Sequence, residues 1–211
     1  MKKAAVFVAA ALAASVAVPA GAQICAGFPT VDRQFTFGAR MDFPEGLDQW
    51  GVEASYNASG PLAAWVGLNV ASDEDIEDSE EEIFVGGLSL ELPMLGTMIG
   101  SGVSVCGVAD VAFVEEEDDM VIQVPVGLGL GANLSAGPGV GLAPYVIPAL
   151  YITHFDLDDP ILGDFSDTEY DFGIRGGALL GFGMFFVGGE VKHVFVEDAD
   201  PQFGIRAGIR L

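Results

Sequence analysis

The amino-acid sequence predicts an all-β protein, a transmembrane antiparallel up-and-down β-barrel of about ten strands. Three observations carry this expectation. Apolar residues recur at every second position in successive runs, the period of a strand with two unlike faces. Acidic residues are concentrated in alternate connections between those runs. Aromatic residues gather near the ends of the runs, where a bilayer selects them and a water-soluble core does not. The composition agrees. The chain of 211 residues is 51% hydrophobic and holds 29 glycines, yet its net charge is −23, so apolar and acidic surfaces must be kept apart. The same charge repels phosphate and argues against nucleic acid as a partner.

Taken from the N-terminus, residues 1–22 read as an export signal. Met1, Lys2 and Lys3 are basic or initiating, residues 4–18 are apolar, and Pro19, Ala20, Gly21 and Ala22 suit cleavage after Ala22. Gln23 and Ile24 stand where a lipid-modified Cys25 would need small residues. Residues 23–33 then form an N-terminal periplasmic segment and residues 34–211 the barrel.

Ten strand-like runs follow, at 34–42, 49–57, 62–71, 83–92, 103–113, 121–134, 142–155, 170–182, 184–196 and 202–211. Eight strands is the alternative if the third or seventh run is misread. The connections after odd-numbered runs hold 26 of the 31 acids, and those after even-numbered runs are uncharged. Strands that run up and down place alternate connections at opposite ends, so one end is acidic and the other small and neutral. A helical span over the uncharged stretch 120–153 is disfavoured. It contains Pro125, Pro138, Pro144 and Pro148 with Gly127, Gly129 and Gly131, and helix interiors lose about 1 kcal/mol per glycine and about 3 per proline.

With the apolar face outward, the first run shows Phe35, Phe37, Ala39 and Met41, and turns Thr36, Gly38 and Arg40 inward. The second shows Trp50, Val52, Ala54 and Tyr56; the sixth shows Ile122 to Leu134 at alternate positions over an inner row of glycines. The seventh run fits neither register. The eighth shows Phe172, Ile174, Ala178 and Leu180. Two aromatic rings result. Trp50, Phe84, Phe113, Phe172, Phe195 and Phe203 lie near the acidic end; Phe35, Tyr56, Phe182 and Phe185 lie near the other.

Apart from Lys2, Lys3 and Arg33, every basic residue falls on an inward position: Arg40, Arg175, Lys192, Arg206 and Arg210. Their strands become neighbours once the barrel closes. The inward acids Glu53, Glu91 and Asp110 lie on the second, fourth and fifth strands, with Glu190 among the bases. A basic wall facing an acidic wall orients solutes in a narrow pore, or pairs across the lumen and plugs it. Unpaired buried charge costs several kcal/mol, which favours the plug or a very narrow water path. The small inward residues relieve crowding, and the lumen is expected to hold no more than a few waters. Cys25 and Cys106 lie toward the same end of an exported chain and are expected to form a disulfide pinning the N-terminal segment into the barrel mouth.

No cofactor, metal site or catalytic constellation is expected. Asp73, Asp75, Glu77 and Asp78 offer carboxylates, but the stretch lacks the turn glycine of a helix–loop–helix calcium site. Divalent cations bridging these acids to lipopolysaccharide phosphates are the alternative to a solvated surface. His154 beside Asp156, with Ser166 as a remote nucleophile, gives the weaker reading of a rim-sited hydrolase of lipid A or peptide.

These residues resemble the small bacterial outer-membrane β-barrels, the OmpA/OmpX-like and porin-like barrel domains. The closing stretch "FGIRAGIRL" resembles the C-terminal signal recognised by the barrel-assembly machinery, with Leu211 in place of the usual terminal Phe. The resemblance is architectural and implies outer-membrane lipid and lipopolysaccharide as surroundings, without an activity. The expected function is a non-enzymatic outer-membrane barrel of structural or surface-interaction type, or a narrow pore. The alternatives are the rim hydrolase and an adhesin presenting acidic loops.

Overall fold

The structure is a computed structural model. It describes residues 24–27, 35–44, 47–57, 61–73, 80–99, 102–116, 119–137, 140–159, 163–196 and 199–211. The expected export signal, most of residues 23–33, and Asp75, Glu77, Asp78 and the side chain of Asp73 lie outside the described residues.

The strands are β1 (Phe35–Phe43), β2 (Leu47–Asn57), β3 (Leu62–Asp73), β4 (Glu80–Glu91), β5 (Val103–Glu116), β6 (Asp119–Ala132), β7 (Leu134–Gly137), β8 (Val140–Asp159), β9 (Gly163–Phe182), β10 (Phe185–Val194) and β11 (Gln202–Arg210). Each pairs antiparallel with its neighbours in chain order, except that β7 is a short continuation of β6 past Asn133. β1 pairs with β11 in the register Arg40↔Arg206, and β6 pairs with β8 in the register Val126↔Leu150. The sheet therefore closes into a ten-stranded up-and-down barrel with no free edge.

Period-two alternation decides the faces. Along β1 every odd residue is exposed and every even residue is partly buried. On β3, outward Val66 is 65% exposed while inward Asn69 is 6% exposed. Nine of the ten expected girdle aromatics are exposed; Phe113 is half-buried. Within the rings, Phe35 packs on Tyr56 and Phe182 on Phe185 near the neutral end, and Phe172 on Phe195 near the acidic end. A barrel with an apolar outside and a charged inside has the reverse polarity of a water-soluble one.

The structure extends three expectations. The unplaced seventh run is regular: Ala143, Tyr145, Ile147, Ala149, Tyr151 and Thr153 point inward, and Pro144 and Pro148 are on the outward face. The fourth acidic connection is mostly strand. Asp156↔Ser166 and Asp159↔Gly163 are paired residues of a hairpin that carries β8 and β9 to 20 residues each. The neutral connection after β4 contains a helix, α1 (Pro93–Ile99), with proline in its first turn, where its missing N–H costs nothing. This helix lies over outward-facing Val105, which is only 4% exposed, and leaves Met94 and Met98 exposed.

Candidate functional site

The interior is organised in three levels. Nearest the neutral end it is dry. The 3-10 turn Ile24–Ala26 lies inside the barrel against β5, β6 and β8. A disulfide joins Cys25 to Cys106, with Cα atoms 5.6 Å apart. Both cysteines are fully buried in a cluster with Val108, Ile147, Leu179 and Phe186. Two glycines make room for this plug. A Cβ on Gly129 would strike the Cys25 carbonyl oxygen, and Gly27, at φ +77°, lies where a Cβ would strike the Tyr145 ring. The row of inner glycines on β6 is thus in part the imprint of the N-terminal segment.

Above the plug lies a layer of ion pairs centred on Glu190. Arg40 Nη2 and Arg206 Nη2 each donate to this carboxylate at 2.9 Å, and Arg175 Nε is 3.8 Å away. Arg206 also donates to the Tyr145 hydroxyl at 2.6 Å, and Tyr145 donates onward to Glu190. Arg175 pairs with Asp110 at 2.9 Å across the barrel, Arg206 with Glu53 at 3.8 Å, and Arg40 with Asp42. Trp65 points inward and donates its indole N–H to Asp110 at 3.0 Å. A buried carboxylate shared by cations and a phenol is the arrangement that offsets desolvation of so many charges. Two voids beside Arg206 and Ile147 measure about 10 Å³ each, space for one water at most.

Toward the acidic end the lumen opens into a cup of about 350 Å³. This exceeds the few waters expected from the sequence. Gly129 is taken up by the plug, whereas β4, β5 and β6 line the upper lumen with Ile83, Val85, Val114, Val121 and Gln123. Lys192 lines this cup, donates to Gln123 Oε1 at 3.3 Å and lies 5.1 Å from the centroid of the Tyr151 ring.

Of the expected lumen charges, Arg40, Glu53, Asp110, Arg175, Glu190 and Arg206 form one network. Lys192 borders it. Glu91 and Arg210 lie apart at the neutral end, where Arg210 donates to the carbonyl oxygens of Gly183 and Phe185. The bases stand on β1, β9, β10 and β11 and the acids Glu53 and Asp110 on β2 and β5. Arg175–Asp110 and Arg206–Glu53 pair within the lumen between these two sides, and Glu190 pairs within the basic one. Sequence reasoning passed over Trp65, Tyr145 and Tyr151. Tyr145 and Tyr151 share a parity with Ala143, Ala149 and Thr153, which was the available signal that this face is inner.

On the outer rim, His154 Nδ1 and Thr168 Oγ1 are 3.0 Å apart, and Asp156 faces Ser166 two register positions on. Among the described residues no cluster of three metal-ligating side chains occurs. No protein-family model and no curated protein sequence matches the chain.

Proposed function

We propose that the protein is an outer-membrane β-barrel of structural or surface-interaction type, set in lipid and lipopolysaccharide, whose lumen is sealed against conduction. The observation that supports this most is the inverted polarity of the closed barrel: an exposed apolar wall with aromatic ends around a charged, paired interior. Lipid solvates such a wall, and water does not. The acidic connections then face outward from the cell, where divalent cations bridge them to lipopolysaccharide phosphates. The plug and the Glu190 layer favour a sealed barrel over a pore. The resemblance to OmpA/OmpX-like and porin-like barrels fits this reading. In the proposal the protein is not an enzyme.

Flotation tests the membrane reading. Protein refolded without detergent in the presence of phosphatidylcholine vesicles should float with them in a density gradient and migrate faster on gels unless boiled. A monodisperse protein that stays at the bottom of the gradient would refute the proposal.

A hydrolase reading draws on one observation, the His154–Thr168 contact beside Asp156 and Ser166 on the outer rim. Ester release from lipid A by the wild type, lost in His154→Ala, would establish it; no release favours the structural reading.

A further inference from the structure

The cup at the acidic end has unlike walls. Strands five places apart face each other across a ten-stranded barrel. On one side, inward Ile83, Val85, Val114 and Val121 line it from β4, β5 and β6. These residues are in register, with Ile83 opposite Val114 and Val114 opposite Val121. On the other side stand Arg40, Lys192 and Gln202 from β1, β10 and β11.

A lumen that held only water would not need this apolar wall. Alternation supplies two faces to each strand, and the outer face already carries the lipid-facing residues; the inner valines have no such role. The valines also lie above the dry plug, so they are not part of its packing.

The charges are equally uneven. Arg40, Arg175 and Arg206 each have a carboxylate within 4 Å. Lys192 has no ion pair among the described residues; its partners are the neutral Gln123 amide and the Tyr151 ring. Its cross-strand neighbours in register are Arg175 and Gln202. Asp42, Glu53, Asp110 and Glu190 equal the four cations in number, and Lys192 is the one of these cations without a carboxylate within 4 Å among the described residues. A concave site with an apolar body and a few convergent polar groups is the usual form of a small-molecule pocket.

We infer that the cup binds a small amphiphilic carboxylate. The carboxylate is taken by Lys192 Nζ and the side-chain amides of Gln123 and Gln202, and the hydrocarbon body lies on Val85, Val114 and Val121. The inference rests on the lumen alone and not on where the barrel resides. The plug below makes it a binding site closed at the bottom.

Fluorescence of Trp65 reads the site directly. The chain has two tryptophans; Trp65 lines the cup and Trp50 faces outward. In Trp50→Phe protein refolded in dodecylphosphocholine micelles, benzoate should change Trp65 emission with saturation. Binding should be roughly tenfold weaker for benzyl alcohol, which lacks the charge, and for acetate, which lacks the body. Lys192→Met should weaken benzoate roughly tenfold and Lys192→Arg should restore it. Val121→Asn gives a second variant should Lys192→Met not refold, and should also weaken benzoate. A benzoate response that does not saturate, or that Lys192→Met and Val121→Asn leave unchanged, would overturn the inference. Heat-modifiable migration of each variant confirms that a lost response is not a lost barrel.

Discussion

Arg206 and Glu190, on adjacent strands, meet at 2.9 Å in the middle of the barrel, and both side chains are almost completely buried. The pair is one edge of a cluster in which one carboxylate serves three arginines and a tyrosine. Removing one member of such a group leaves charges buried without compensation, which costs far more than the intact pair contributes.

Glu190→Gln should therefore destabilise the barrel by about 3–5 kcal/mol, read as a lowered urea midpoint for protein refolded in vesicles. Glu169→Gln, an exposed acid on the hairpin extension, should stay within about 0.5 kcal/mol of wild type. Equal effects at the two sites would mean that the cluster does not hold the lumen together.

The outward face gives a prediction of opposite kind. Val66 is 65% exposed and lies midway along β3. In water an arginine there would be nearly neutral. In a bilayer Val66→Arg should cost about 2–4 kcal/mol, measured by the same unfolding titration. A neutral result would place this face in water.

The plug is held by a link spanning 81 residues of sequence. Loop-closure entropy on that scale corresponds to about 4 kcal/mol. Replacing Cys25 and Cys106 with serine should lower stability by an amount of that order, and adding reductant to the wild type should do the same. A double variant as stable as the oxidised wild type would contradict a structural role for the bridge.

Gly129→Val tests the imprint of the plug separately from the bridge. Its new side chain would occupy the place of the Cys25 carbonyl and point into the lumen, leaving the strand pairing intact. Barrel migration on gels should persist while two free thiols appear on titration of the denatured protein. A fully oxidised variant would show that the N-terminal segment does not seat there.

How far the sequence discloses this arrangement depends on what each feature requires. β1 and β6 are legible because apolar residues alternate with small or polar ones from Phe35 to Phe43, and with Gln123, Pro125 and glycines from Ile122 to Ala132. Parity alone also assigns Arg40, Arg175, Lys192, Arg206 and Arg210 to the inside. β8 resists the same rule because both faces are apolar: Tyr145, Ile147 and Tyr151 point inward while Leu142, Val146, Leu150 and Ile152 point outward, and Pro144 and Pro148 interrupt the outer row, so hydrophobicity does not separate them. The β8–β9 extension reads as a loop because its acids suit water on both faces, yet ladder hydrogen bonds form there regardless. Parity fixes a residue's face and not its partner within the lumen. That Glu190 meets Arg40 and Arg206, and Asp110 meets Arg175, depends on strand tilt and stagger, which no local pattern encodes. The cup escapes a residue-by-residue reading for the same reason, since it exists only when β4–β6 face β1, β10 and β11.

Single-channel recording in planar lipid bilayers tests the sealed barrel most directly. Wild-type protein, oxidised and inserted, should give no discrete conductance steps at any applied voltage short of membrane breakdown. Stable, reproducible steps from the oxidised wild type would contradict it, because ions would then be crossing the Glu190 layer and the disulfide-held plug.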